Sequence, residues 1–252
     1  MLIGSLFSGI GGLELGLEWA GLGPVIWQVE RDDYCSRVLA RHWPSAQRFD
    51  DVCTVGGHNL RPVDLICGGF PCQDLSTLKI NRDGLEGKRS GLWAEYFRIL
   101  CELRPRYVVI ENVTALVNDG LARLLCDLAS VGYDAEWQTL RASSVGLPTR
   151  RNRLFIVAYT KSHRPVSMEV YASTMAQVYE QRERFCGNTT LRYESLEHTV
   201  PTIPEHLRVD NGISFELSEI EAAVKGYGNA VCPPVAKWIG ERIIEFDERI
   251  DR

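Results

Sequence analysis

Cys72 is the residue of this chain best placed for chemistry. It follows Gly68-Gly69-Phe70-Pro71 and precedes Gln73, directly after the apolar run Asp64 to Cys67. A thiol on such a loop is conformationally fixed and exposed, and its thiolate is a strong nucleophile. Glu111, with Asn112 and Val113, follows a second apolar run, Tyr107 to Ile110. A lone Glu at a strand end is often only solvated or salt-bridged, but opposite a placed thiol it becomes a candidate acid. Arg151 and Arg153 enter a third run, Leu154 to Tyr159. Alternation into a buried strand sends both to one face, where they converge on the site; otherwise they belong to a solvated charge run. Near the start, Phe7-Ser8-Gly9-Ile10-Gly11-Gly12 leads into a helical pattern, and Glu30 stands 21 residues after Gly9. Glycines let a backbone approach a ligand, the helix aims N–H groups at it, and an acid at the next strand end can hold ribose hydroxyls. That pair alone fits NAD, FAD or S-adenosylmethionine, or a plain tight turn.

The elements that must position these residues alternate. Leu2 to Phe7, Val25 to Val29, Asp64 to Cys67, Tyr107 to Ile110 and Leu154 to Tyr159 read as short buried strands. Between them, Leu13 to Ala20, a stretch through Tyr34, Val38 and Leu39, the set Trp93, Tyr96, Phe97, Leu100, and the set Leu121, Leu124, Leu125, Leu128 recur at helical spacing. This pattern predicts an α/β fold with a doubly wound, mainly parallel sheet, whose ligands bind at the carboxyl ends of the strands. Cys72 and Glu111 then lie at one edge. From about residue 160 to 220 both periods fail, and Pro165, Pro201 and Pro204 interrupt. Helical spacing returns with Val231, Val235, Trp238, Ile239, Ile243 and Ile244. The expected organisation is a catalytic, cofactor-binding domain over 1–159, a small irregular module over 160–220, and a segment over 221–252 that completes the catalytic domain.

Composition narrows the function classes. The chain has 252 residues, 45% hydrophobic and 24% charged, with a formal net charge of −5. That is globular usage, and it argues against a protein coated in basic residues. The charge is uneven, however. Residues 141–164 hold six basic side chains (141, 150, 151, 153, 161 and 164) and no acid, which marks a place for a phosphate backbone. Eight cysteines without a CxxC pair reject zinc, so no metal is expected, and several sit in apolar runs as core residues. No apolar run approaches a membrane span, so no membrane contact is expected and a reducing, cytoplasmic setting fits.

The ordered set Phe7–Gly12, Gly69-Phe70-Pro71-Cys72-Gln73, Glu111-Asn112-Val113, Arg151-Asn152-Arg153 and Gly228-Asn229-Ala230-Val231 resembles that of the DNA cytosine-5 methyltransferases. Order and spacing match along 1–158 and 225–245. The resemblance implies a Rossmann-like S-adenosylmethionine methyltransferase sheet with a small target-recognition module. S-adenosylmethionine would be held by Phe7, Ser8, Gly9, Ile10, Gly11, Gly12, Glu30 (on the ribose), Asp51 (on the adenine amine, with Asp50 one register away), Val52, Pro71, Leu92, Asn229 and Ala230. Cys72 would attack cytosine C6, Glu111 would bond the ring at N3 and the exocyclic amine, and Arg151 and Arg153 would orient the base and its phosphate. Gln73, Ser76, Arg89, Arg150 and Lys161 would touch double-stranded DNA, and the segment 79–89 would close over a flipped base. A cognate restriction endonuclease is a possible partner, and nothing in the sequence bears on oligomeric state. One departure stands out: Ser5 occupies the place where that family usually carries Asp.

Three other readings share parts of this pattern. A tRNA cytosine-5 methyltransferase would use the same motifs. A catalytically silent nucleic-acid-binding relative gives no reason for the intact Cys72, Glu111, Arg151 and Arg153. An NAD oxidoreductase gives Pro71-Cys72 and Glu111 no role.

Overall fold

The computed structural model describes residues 1–71, 91–147, 149–160, 225–226 and 228–250. Cys72, Gln73, Ser76, Arg89 and Lys161, the 79–89 segment and the recognition module from 161 to 220 lie outside the described residues. Within them, seven strands form one sheet. They are β1 (Ile3–Leu6), β2 (Val25–Val29), β3 (Gln47–Phe49), β4 (Leu65–Gly68), β5 (Tyr107–Asn112), β6 (Tyr133–Arg141) and β7 (Asn152–Thr160). The order across the sheet is β3-β2-β1-β4-β5-β7-β6. The first five are parallel, and β7 runs antiparallel to both β5 and β6. Strand order reverses between β1 and β4, whose last residues Leu6 and Gly68 pair side by side. The carboxyl ends at such a reversal form a crevice open to ligands.

Helices cover both faces. The principal ones are α1 (Gly12–Trp19), α2 (Asp33–His42), α3 (Leu92–Leu103), α4 (Leu116–Asp119), α5 (Leu121–Ser130) and α6 (Pro233–Ile250). Alternation along the strands divides the core. Ile66, Val108, Ile110 and Ile156 pack with Trp93, Tyr96, Leu100 and Leu124 of α3 and α5. Leu65, Cys67, Val109 and Phe155 pack with Leu13, Leu17, Leu39, Val235 and Ile239 of α1, α2 and α6. Fully burying one such side chain contributes about 1.5–3 kcal/mol. The α1–α6 crossing is close because Gly16 carries no side chain. A Cβ there would collide with the Pro233 carbonyl and the Ala236 methyl. The expected C-terminal helix therefore packs directly on the first one.

Two strands escape the sequence reading. β3 is only three residues long, and its Gln47 and Arg48 are exposed. β6, Tyr-Asp-Ala-Glu-Trp-Gln-Thr-Leu-Arg, pairs along its whole length with β7 and is the edge strand of the sheet among the described residues. An edge strand tolerates charged residues, and its Trp137 stands half exposed. Among the described residues no helix is long and apolar enough to cross a membrane.

Candidate active site

The turn after β1 is built against Glu30. Phe7, Gly9 and Gly11 all have positive φ (55°, 55° and 85°). Gly11 stands at the left-handed N-cap of α1. Glu30, at the end of β2, accepts the backbone N–H of Gly9 through Oε2 and that of Asp32 through Oε1, both at 2.7 Å. Its carboxylate is thereby fixed at the mouth of the crevice. A Cβ on Gly9 would meet nothing within 4 Å, so that side of the turn is open to a ligand. A Cβ on Gly12 would strike the Val231 carbonyl, so this glycine admits the C-terminal segment. That segment carries Asn229 and Ala230 past the turn. Gly226 lies against Ile10 and Tyr34, and Lys225 pairs with Asp32 at 3.3 Å.

Asp51 is the acid whose place is defined by its bonds. It caps the short 3₁₀ turn Val52–Thr54 and accepts from the Cys53 N–H at 2.9 Å. That bond holds its carboxyl below the usual range. Val52 is buried in the core, and Leu92 opens α3 half buried beside it. Pro71 is exposed at the end of the loop after β4.

Gly69 decides how that loop meets Glu111. A Cβ at Gly69 would lie 2.8 Å from Glu111 Oε2 and 3.0 Å from the Glu111 backbone oxygen. The Glu111 carboxylate thus rests on the loop two residues before Pro71. Asn112 fastens the same loop, donating from Nδ2 to the Phe70 carbonyl at 3.0 Å, while its Oδ1 accepts the Val113 N–H. Burial pushes the Glu111 carboxyl up, and Arg153 and then Arg151 oppose the shift. Arg153 Nε lies 3.1 Å from Glu111 Oε1. The guanidinium and the carboxylate thus form an ion pair at the end of β5.

Arg151 reaches the C-terminal segment. Its Nη1 and Nη2 donate to the carbonyls of Gly228 and Asn229 at 2.5 and 2.9 Å. It shares a face with Arg153, as alternation predicted, but it braces the C-terminal segment. Arg150 is exposed at the same edge.

A family model of C-5 cytosine-specific DNA methylases matches residues 1–217. The chain belongs to this family. Among similar C-5 methylases, the type II methyltransferase M2.BsuMI of Bacillus subtilis is 36% identical over 166 residues, covering 63% of this chain and 42% of that protein. M.CviJI of Paramecium bursaria Chlorella virus IL3A is 31% identical over 192 residues, covering 75% and 52%. The chain thus spans about half the length of the curated relatives it matches. A prophage-encoded DNA modification methyltransferase structure (E. coli) superposes with a TM-score of 0.55 at 28% identity, covering 68% of this chain and 50% of that one. The Spodoptera frugiperda DNMT2 structure, at 23% identity and a TM-score of 0.53 over 63% and 49%, shares the fold. The sheet is therefore the Rossmann-like methyltransferase sheet the motifs implied.

Two features were missed from sequence, and one departure that it flagged finds its partner. Asn112 was quoted only as a neighbour of Glu111, and its amide role was legible in no spacing. Lys225 and Asp32 are 193 residues apart, so no local pattern links them. Ser5, which departs from the family's usual Asp, donates from Oγ to Glu14 Oε1 at 2.6 Å and accepts from Ser8 Oγ at 2.8 Å. A carboxyl is present after all, but it comes from α1.

The basic window of 141–164 is divided by β7. Arg141 ends β6 and Arg153 is the second residue of β7 at the carboxyl edge of the parallel strands, where they pair with Asn152 and Leu140. Thr160 ends β7 at the opposite edge, beside Tyr133 and bonded to the Arg106 carbonyl.

Proposed function

We propose that this chain transfers the methyl group of S-adenosylmethionine to C5 of cytosine in duplex DNA, through a covalent Cys72–C6 adduct on a flipped base. The observation that carries the reading is the seat of Glu111 on Gly69. It presses a buried, charge-flanked carboxyl against the loop that leads into Cys72, at the edge where the glycine turn also opens.

The residues present fit the cofactor. The open face of Gly9, the fixed carboxylate of Glu30 and the capping Asp51 offer a surface for an adenosine, and Asn229 and Ala230 close its side. When bound, S-adenosylmethionine supplies an electrophilic methyl group. Cytosine C5 is a poor nucleophile, so the ring must first gain electron density. The Cys72 thiolate adds to C6. Glu111, whose carboxyl burial pushes up against the pull of Arg153 and Arg151, bonds the ring at N3 and the exocyclic amine, offsetting charge on the ring. C5 then takes the methyl, a base removes the C5 proton, and Cys72 leaves. Arg153 holds Glu111 in place, and Arg151 holds the Gly228–Asn229 wall. The exposed Arg150 contacts the phosphate backbone, and residues 160–220 serve as target-recognition module. The type II names of the relatives favour a cognate restriction endonuclease as partner.

The test is transfer of labelled methyl to duplex DNA, with tRNA assayed beside it. DNA is expected to be labelled, and 5-fluorocytosine DNA to trap the protein covalently, with both signals lost in Cys72→Ala. Labelling of tRNA alone would transfer the chemistry to another substrate. Binding of DNA with no labelling and no effect of Cys72→Ala would sink the reading.

A further inference from the structure

Glu14 is fully buried at the third position of α1, and one of its oxygens, Oε2, has no hydrogen-bond partner among the described residues. The core on that side of the sheet is apolar, with Ile3, Leu13, Leu17, Leu39, Leu65 and Ala236. A carboxyl in such a layer is destabilising unless something requires it. The sheet places a polar row under it. Ser5 of β1 stands between Gln28 of β2 and Cys67 of β4, and both polar atoms of the Gln28 amide also lack partners among the described residues.

The bonds of Glu14 lead to the glycine turn. Ser8 Oγ donates to Ser5 Oγ, and Ser5 Oγ donates to Glu14 Oε1. Ser8 is also held through its N–H, to the Val29 carbonyl at 3.2 Å, and its carbonyl, from the Gly11 N–H at 3.0 Å. Its neighbours Phe7 and Gly9 both have φ of 55°. Left-handed backbone at a non-glycine residue persists only where the surroundings over-determine it. Ser8 is the pin between a left-handed Phe7 and a left-handed Gly9, and Glu14 is where the pin ends.

We propose that ionised Glu14 is the positioning residue of the cofactor turn, anchoring Ser8 through Ser5 and so setting the Phe7–Gly12 backbone for the adenosyl ligand. This rests on the cofactor assignment above. Burial raises the Glu14 carboxyl to about 7. The ionisable groups facing it are Glu30 at the end of β2 and the Cys67 thiol of β4. Glu18, one turn along α1, is engaged by Trp43 Nε1 and the Val25 N–H. Lys237 of α6 is half exposed and paired with Glu241, and α2 presents Leu39.

Calorimetric titration of S-adenosylmethionine and of its neutral thioether product S-adenosylhomocysteine, between pH 6 and 8, tests this. A group titrating near 7 in the free protein and held ionised in the complex weakens wild-type binding about tenfold at pH 6 relative to pH 8. Glu14→Gln keeps an acceptor for Ser5 but no charge. It should bind both ligands at the wild-type pH 6 level throughout, and melt no lower than wild type when unliganded at pH 8. Ser5→Ala, which cuts the same chain and leaves Glu14, should show the same flat profile. Equal pH dependence in wild type and Glu14→Gln would overturn the proposal. So would a shift confined to the sulfonium ligand, which signals attraction of charge without positioning. Failure of wild type to bind either ligand at any pH would instead overturn the cofactor assignment.

Discussion

Gly69→Ala is the smallest change that should separate chemistry from folding. The added methyl would lie 2.8 Å from Glu111 Oε2 and 3.0 Å from the Glu111 backbone oxygen. The backbone oxygen is on β5, held in the ladder to Phe155 of β7, so the movable partner is the carboxylate. An ordinary carbon–oxygen approach is about 3.3–3.6 Å, so the carboxylate must retreat by about half an ångström. A displacement of order 1 Å at a reacting centre can cost about a hundredfold, so a loss of roughly tenfold in kcat is expected. That is about 1.4 kcal/mol of transition-state stabilisation. Folding should weaken by only about 1–2 kcal/mol, a Tm decrease of roughly 2–8 °C for a chain of this size. S-adenosylmethionine binding should change less than kcat, because the Gly9–Glu30 contact belongs to another loop and only Pro71 shares this one. Single-turnover methyl transfer, calorimetry and thermal melts together read all three. Gly57→Ala is the control, since a Cβ there would meet Glu102 Cβ at an ordinary 3.6 Å. An unchanged kcat in Gly69→Ala would refute the argument that Glu111 acts from its seat on that glycine.

Other substitutions probe the remaining joints. Gly12→Ala forces the methyl into the Val231 carbonyl, and should cost about 1–3 kcal/mol in a denaturant melt while weakening cofactor binding. Glu30→Gln turns one of its two N–H contacts into donor facing donor, and a loss of about 1.5–3 kcal/mol in calorimetric binding of S-adenosylmethionine is expected. Arg150→Ala should lower the salt slope of DNA binding by about one, with affinity measured across ionic strengths. Glu14 is raised from 4.5 to about 7, so the folded state holds its proton longer than the unfolded chain. Its favourable contribution is complete below pH 4.5 and is lost as pH rises through 7. At about 1.4 kcal/mol per unit, Glu14→Gln should be more stable than wild type by roughly 3 kcal/mol at pH 8 and equal to it below pH 4. Coincident stability curves would show that the carboxyl is not desolvated as described.

The parallel half of the sheet was readable because burial on both faces makes its strands apolar throughout. Val25 to Val29 matches β2 to the residue, and Tyr107 to Ile110 falls short of β5 only at the two polar residues that matter most, Glu111 and Asn112. β6 was not readable for the converse reason. Its open edge allows Asp134, Glu136 and Gln138, which weaken any apolar alternation. The residue types at the site could be found from loop chemistry at strand ends. Their division of labour could not, since Arg151 and Arg153 have the same spacing signal and different partners. Nor could spacing show that Gly69 and Gly12 serve as seats for Glu111 and Val231, because a glycine's contacts are set by what approaches it.

The contact of Gly12 with Val231 also fixes a timetable. The glycine turn is made in the first dozen residues, yet the wall beside it and the helix that clamps α1 lie more than two hundred residues later. At ribosomal rates of about 5–20 residues per second, roughly ten to forty seconds separate the two halves of one cradle. During that interval the nascent sheet has β1, β4 and β5 but not the wall that Val231 makes beside the turn. Synthesis of the segment that carries Val231 is thus itself a checkpoint on whether the cradle can close.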